Sequence, residues 1–224
     1  MVPMTRARLL AGLAITTLLS ACGAAPTTAA PTAKPAAASG PKRGGKVTMA
    51  VWQSPTLLNG LLGTQTVMND VLAFVVDGLT NTQPDGSRVP VLAKEVPTVA
   101  NGGVSADGKT ITYKLVEGVK WHDGTVFGCE DIQFTLKAIM TKDVGVVSTT
   151  GYSDVDSVDC STPNTAVIKF KNFYAPYLQL FNGLELLPRT AGDPAKMKDW
   201  EYNRKPIGTG PFKVTLRQPD VKTV

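Results

Sequence analysis

From Thr110 to Val116 apolar and polar positions alternate: Ile111, Tyr113 and Leu115 fall on one side, Thr110, Thr112 and Lys114 on the other. That period of two is the pattern of a strand with one buried face. A helical spacing replaces it at two places. Val67, Val71, Phe74 and Val75 lie at i, i+4, i+7 and i+8, with Gly78 where a helix-ending glycine belongs. Ile132, Leu136, Ile139 and Met140 mark a second amphipathic helix, with Glu130 and Asp131 in its first turn at the favourable end of the helix dipole. Asp107-Gly108 and Asp123-Gly124 predict tight hairpin turns, and Pro84-Asp85-Gly86 another turn, with Pro90 breaking the chain soon after. An opening strand at Lys46–Trp52, a strand at Thr165–Phe170, a short helix around Ala175–Phe181 and a final strand around Phe212–Leu216 complete a mixed α/β pattern without internal repeats.

The N-terminus has a different pattern. Arg6 and Arg8 precede an apolar run of eleven residues, Leu9–Leu19, which closes on Ser20-Ala21-Cys22. This is the three-part shape of a secretory signal, too short to span a bilayer. Leu19-Ser20-Ala21-Cys22 resembles a bacterial lipobox, which implies a signal peptide over residues 1–21, transfer of a diacylglycerol to the Cys22 thiol, cleavage before Cys22 and acylation of its new amine. Residues 22–44 are rich in alanine and proline and almost devoid of large apolar side chains, so they read as a tether from a membrane surface. The expected location is extracytoplasmic, held to the cell membrane by lipid.

Composition adds exclusions. Of the 224 residues 43% are hydrophobic and 18% charged, a globular balance. No stretch reaches about 18 consecutive apolar residues, which excludes a multi-pass helical membrane protein. The net charge of +5 assigns no partner, because two of its basic residues sit in the leader. Scattered basic residues and 7% aromatics give no platform for nucleic acid.

Candidate chemistry is sparse. Gly103–Thr110 fits the G-x-x-x-x-G-K-T phosphate-loop pattern by letter, but a strand pattern follows where a helix is required, and Asp107 would place a negative charge in the cradle. His122 is the only histidine, so no histidine-rich metal site exists within one chain. It leaves one enzymatic alternative, an extracellular hydrolase using His122 as acid or base; beside Trp121 and a hairpin turn, a structural side chain is the preferred reading. Neither a G-x-S-x-G elbow nor a C-x-x-C pair is present. Cys129 and Cys160 are a disulfide candidate in an oxidising compartment, against two buried thiols or a reactive Cys129 thiolate at a helix start.

Several blocks in order then carry a resemblance: Val76-Asp77-Gly78-Leu79-Thr80, Pro84-Asp85-Gly86, Pro90-Val91-Leu92-Ala93, Asp107–Tyr113, Gly118–Gly124, Glu130-Asp131-Ile132 and Gly208-Thr209-Gly210-Pro211-Phe212. Together they resemble family 5 extracellular solute-binding proteins, the oligopeptide-, dipeptide- and nickel-binding receptors of ABC importers. The resemblance implies a type II periplasmic-binding-protein-like α/β fold and a binding protein without catalysis or cofactor. Its partners would be a peptide or other small solute, an ABC permease and, through that, an ATPase, and it would act as a monomer. Residues 45–79 and 204–224 would form part of lobe I and residues 80–203 an inserted small domain; the second lobe would be absent, since family members are more than twice this length. The motif residues themselves look like turn and packing positions. Gly128 and Cys129 stand where the family usually has Thr/Ser-Ala, which weakens the helix cap. In such receptors the connection between the opening strand and the first helix lines the cleft. Here that is Gln53–Thr66, with Asn59, Gly63, Thr64 and Gln65 as candidate ligand-binding residues and Gly60 beside them.

Overall fold

The computed structural model describes residues 44–215 and 217. The predicted signal peptide, the lipidation residue Cys22, nearly all of the tether and the end of the chain lie outside the described residues. The described residues divide after Thr48 into two units. Residues 44–48 contain no helix or strand, and the elements below all belong to the second unit.

A three-stranded antiparallel sheet organises the core. β3 (Thr110–Lys114) and β4 (Val155–Thr162) flank the central β5 (Thr165–Phe170). Ile111 pairs with Ile168 and Tyr113 with Ala166, so the buried face predicted for β3 meets the buried face of β5. β4 is an edge strand with two register irregularities against β5, between Val155 and Ser157 and between Asp159 and Thr162. Such irregularities twist an edge and blunt further pairing. Helix α2 (Cys129–Met140) packs on β4 and β5, burying Ile132, Thr135, Ala138 and Ile139. Met140, assigned by periodicity to the same stripe, is 42% exposed because the helix ends there.

Turn chemistry follows the sequence closely. Gly86, Gly108 and Gly124 all have positive φ. In each turn the preceding aspartate accepts a hydrogen bond from the backbone N–H two residues on: Asp85 from Ser87, Asp107 from Lys109 and Asp123 from Thr125. The first turn closes a hairpin of β1 (Thr80–Thr82) and β2 (Arg88–Pro90). The segment matching the phosphate-loop pattern, Gly103–Thr110, is a turn feeding β3, with no helix behind it.

Three expected elements differ. Lys46–Trp52 forms no strand: a strand needs a hydrogen-bonded neighbour, none pairs with this segment among the described residues, and Trp52 is 69% exposed. The helix expected around Ala175–Phe181 is a single 3₁₀ turn, Tyr177–Gln179. Phe212–Thr215 is not a sheet strand; Gly210 N and Phe212 N donate to the carbonyls of Val75 and Phe74 at 2.9 and 3.0 Å. Those carbonyls lie just past α1 (Thr66–Leu72), whose buried face is Val67, Met68 and Leu72. Phe74, expected on that face, is turned outward to make an edge-on contact with Phe212. A Cβ on Gly208 would overlap the Val75 carbonyl, so the glycine is there for close approach of two backbones.

One buried polar cluster sits in the core. The Tyr152 hydroxyl donates to the Glu185 carboxylate and accepts from Phe181 N at 2.8 Å. Burial pushes the Glu185 carboxyl above its ordinary range, with the Tyr152 bond opposing. Burial and the neighbouring Glu185 charge raise the tyrosine well above its own.

Candidate functional site

The connection Gln53–Thr66 is pinned from below. Leu58 and Leu61 are buried, and Leu58 N donates to the Asn203 carbonyl at 2.7 Å. Asn59 is also fully buried: its Nδ2 donates to Asn203 Oδ1 at 2.9 Å, and its Oδ1 accepts from Leu61 N at 3.0 Å. Asn203 in turn donates to the carbonyls of Met197 and Lys198. Two asparagines 144 residues apart thus fasten the connection to the 197–204 segment, with each amide satisfied as burial demands.

The candidate residues therefore divide by role. Asn59 spends its side chain inside the protein. Gln65 lies at the N-terminus of α1 and accepts from both the backbone N and the hydroxyl of Thr56, at 2.9 Å each, closing the connection into a loop. A Cβ on Gly63 would sit 3.1 Å from Met68 Sδ, so that glycine serves close packing on α1. Thr64 is exposed, with its side chain free for solvent or ligand among the described residues.

This loop forms one wall of a cavity of about 360 Å³ through Thr56, Leu57 and Leu62. Val144 and Gly145 form the second wall, after Asp143, whose φ of 65° is the left-handed conformation that aspartate tolerates better than most residues. Lys198, Asn203 and Arg204 form the third, and Arg217 closes the cavity. Arg217 Nη2 donates to the carbonyls of Pro55 and Thr56, while its Nε is buried without an acceptor among the described residues. Lys198 Nζ donates to the Asp143 carbonyl at 3.2 Å. Sequence reasoning missed these cations. The only local signal is the basic run through Lys196, Lys198, Arg204 and Lys205, which lies far along the chain from the loop it meets.

His122 stands at a second cavity of about 340 Å³, beside Asp123 and Thr190. Its ring is committed to backbone: Nε2 lies 2.8 Å from Gly210 O, and Nδ1 accepts from Gly208 N at 3.2 Å. With a donor on Nε2 and an acceptor on Nδ1, the imidazole clamps the Gly208–Gly210 segment. No ring nitrogen is left to move a substrate proton. Burial raises the neighbouring Asp123 carboxyl, but hydrogen bonds from Thr125 and Thr190 outweigh it and hold the group below its usual range. Cys129 and Cys160 are joined by a disulfide, Cα atoms 5.5 Å apart, which links the start of α2 to the edge strand β4. No group of three or more His, Cys, Asp or Glu suited to a metal occurs among the described residues.

A mixed α/β unit with this topology is part of a type II periplasmic-binding-protein fold, and comparison with known proteins makes the assignment specific. The sequence profile of the bacterial extracellular solute-binding proteins, family 5 Middle, matches residues 88–224, and the chain belongs to that family. It is 30% identical over 203 residues to the oligopeptide-binding protein AppA of Bacillus subtilis, an alignment covering 87% of this chain and 35% of that protein. The structure of AppA in complex with a nonapeptide superposes with a TM-score of 0.64 at 27% identity, covering 74% of this chain and 33% of that one. NikZ from Campylobacter jejuni in complex with Ni(L-His) superposes at 0.63 with 25% identity, covering 74% and 32%. The chain thus spans about a third of the length of the relatives it matches.

Proposed function

We propose that this chain is the N-terminal part of a substrate-binding protein that captures peptides or similar small solutes outside the membrane and delivers them to an ABC permease. The observation that carries this reading is the pinned connection Gln53–Thr66, which walls a polar cavity at the position expected of a cleft-lining loop. Family membership and the peptide and metal-chelate complexes of AppA and NikZ supply the ligand class.

Residues 45–79 and 204–224 are proposed as one lobe and residues 80–203 as its inserted domain. In support, the backbone bonds of Gly210 and Phe212 to Val75 and Phe74 set the two lobe segments side by side. In the whole protein a second lobe would close over the ligand, and ligand contacts would favour the closed population.

Cys22 is proposed as the lipid-bearing residue, on the strength of the lipobox-like sequence around it. Several acyl chains, at about 0.8 kcal/mol per buried methylene, hold a protein at a bilayer where one does not. Mass spectrometry of the mature protein should find an acylated cysteine at its N-terminus; an unmodified N-terminus at another residue contradicts the anchor.

The receptor reading is tested by titrating the full chain with short peptides and following backbone amide resonances. Saturable binding is expected, in roughly the millimolar range for a site lacking an opposing lobe. Thr64→Trp, placed on the exposed part of the loop, should weaken it about tenfold by filling the cleft side. Unchanged affinity in that variant removes the loop from the site.

A further inference from the structure

We propose that the cavity walled by Thr56, Lys198, Arg204 and Arg217 holds a carboxylate of the bound solute. This inference rests on the receptor reading and adds the chemistry of what the site takes. Three cationic side chains line one cavity, and among the described residues no acidic side chain does. None of the three forms a salt bridge among the described residues; the four pairs found there use Lys94, Lys114 and Arg189. Among the described residues the nearby acids Asp143, Asp199 and Glu201 form no salt bridge with these cations and do not line the cavity, and Glu201 lines the other one.

Like charges gathered without a counter-ion repel one another, and an incoming anion relieves that repulsion more strongly where apolar walls lower the local dielectric. Leu57, Leu62 and Val144 provide such walls. The donors are already arranged for the task. Arg217 is held by two bonds to loop carbonyls and keeps a buried Nε–H without an acceptor among the described residues. Arg204 makes no side-chain hydrogen bond among the described residues, which leaves its planar fork open to two carboxylate oxygens. Lys198 has bonded one carbonyl and retains further protons on its ammonium. A cavity of about 360 Å³ takes a carboxylate with the main chain that carries it.

The test uses the full chain and three probes: tri-alanine, tri-alanine amide, and the amide of Ala-Glu-Ala. Tri-alanine should bind about tenfold more tightly than its amide, and Arg204→Gln should remove that difference by weakening tri-alanine about tenfold more than the amide. Both Arg204 and Lys198 are exposed, so Arg204→Gln and Lys198→Gln spare the fold, and the second variant should reproduce the first in smaller measure. Recovery of tight binding by Ala-Glu-Ala amide supports the carboxylate site with a side chain as its source; no recovery supports it with the chain terminus as its source. Equal affinity for tri-alanine and its amide overturns the carboxylate site while the receptor reading stands. An equal loss for both ligands in Arg204→Gln overturns it likewise. Absence of binding by all three probes overturns both.

Discussion

Replacing Asp131 by alanine should lower the unfolding free energy by about 3–5 kcal/mol, the range for removing one partner of a buried charged network. Asp131 has no exposed surface. Its Oδ2 accepts from Trp121 Nε1 at 3.1 Å and from Gly128 N at 3.0 Å; its Oδ1 accepts from Arg189 N at 2.9 Å; and the Arg189 guanidinium lies 3.2 Å from both oxygens. Three separate pieces of chain meet on this carboxylate: the Trp121 hairpin, the start of α2 and the segment after Leu187. The bond to Gly128 N supplies half of a capping box, and glycine has no side chain to return the other half. Alanine would take the acceptor from the buried indole and from two part-buried backbone N–H donors, at roughly 1–3 kcal/mol for each one that water does not reach. Asp131→Asn keeps acceptor capacity on one atom and should cost less. Urea denaturation checks this through a fall in the midpoint at constant slope. A loss under about 1 kcal/mol would show that these donors find water or other partners.

The second large effect is expected at the disulfide. The bond spans 31 positions of sequence, and on the chain-entropy account a loop of that size contributes on the order of 3–4 kcal/mol by restricting the unfolded chain. The double variant Cys129→Ser with Cys160→Ser should lose that amount, and reductant should destabilise the parent chain while leaving the variant untouched. Denaturation with and without dithiothreitol measures both. A parent chain whose stability ignores reductant while its thiols become titratable would place the bridge outside the stabilising network.

These two sites show which parts of the molecule can be read from sequence. The Asp-Gly turns were legible because each is closed by a side chain bonding its own backbone two residues on, a wholly local event. β3 was legible because one face is buried and the other solvated, so period two survives in the letters. β4 left little trace: Val155–Thr162 carries Asp156 and Asp159 and is broken by two register shifts at a sheet edge, which dilutes the alternation. Asp131 was visible only as a first-turn acid suited to a helix dipole; beyond Gly128, three residues back, its partners lie 10 and 58 residues away, and no local pattern encodes those.

At the candidate site the loop was legible and its surroundings were not. Gln53–Thr66 was singled out through the family resemblance, as the connection leading into the first helix. The inward turn of Asn59 depends on Asn203, 144 residues later, and nothing near position 59 announces it. The cations follow the same rule, since Lys198, Arg204 and Arg217 reach the loop only through the fold. His122 illustrates the reverse: a lone histidine invites a catalytic reading, and its two ring nitrogens prove to be bound to Gly208 and Gly210.

The most direct test of the receptor assignment is the residue-by-residue map from the peptide titration of the full chain. Resonances of Gln53–Thr66 and of Lys198–Arg204 should shift together and fit one dissociation constant, while those of the Asp107-Gly108 turn before β3 stay still. Shifts that avoid both segments, or no saturable shift with any short peptide, would contradict the account.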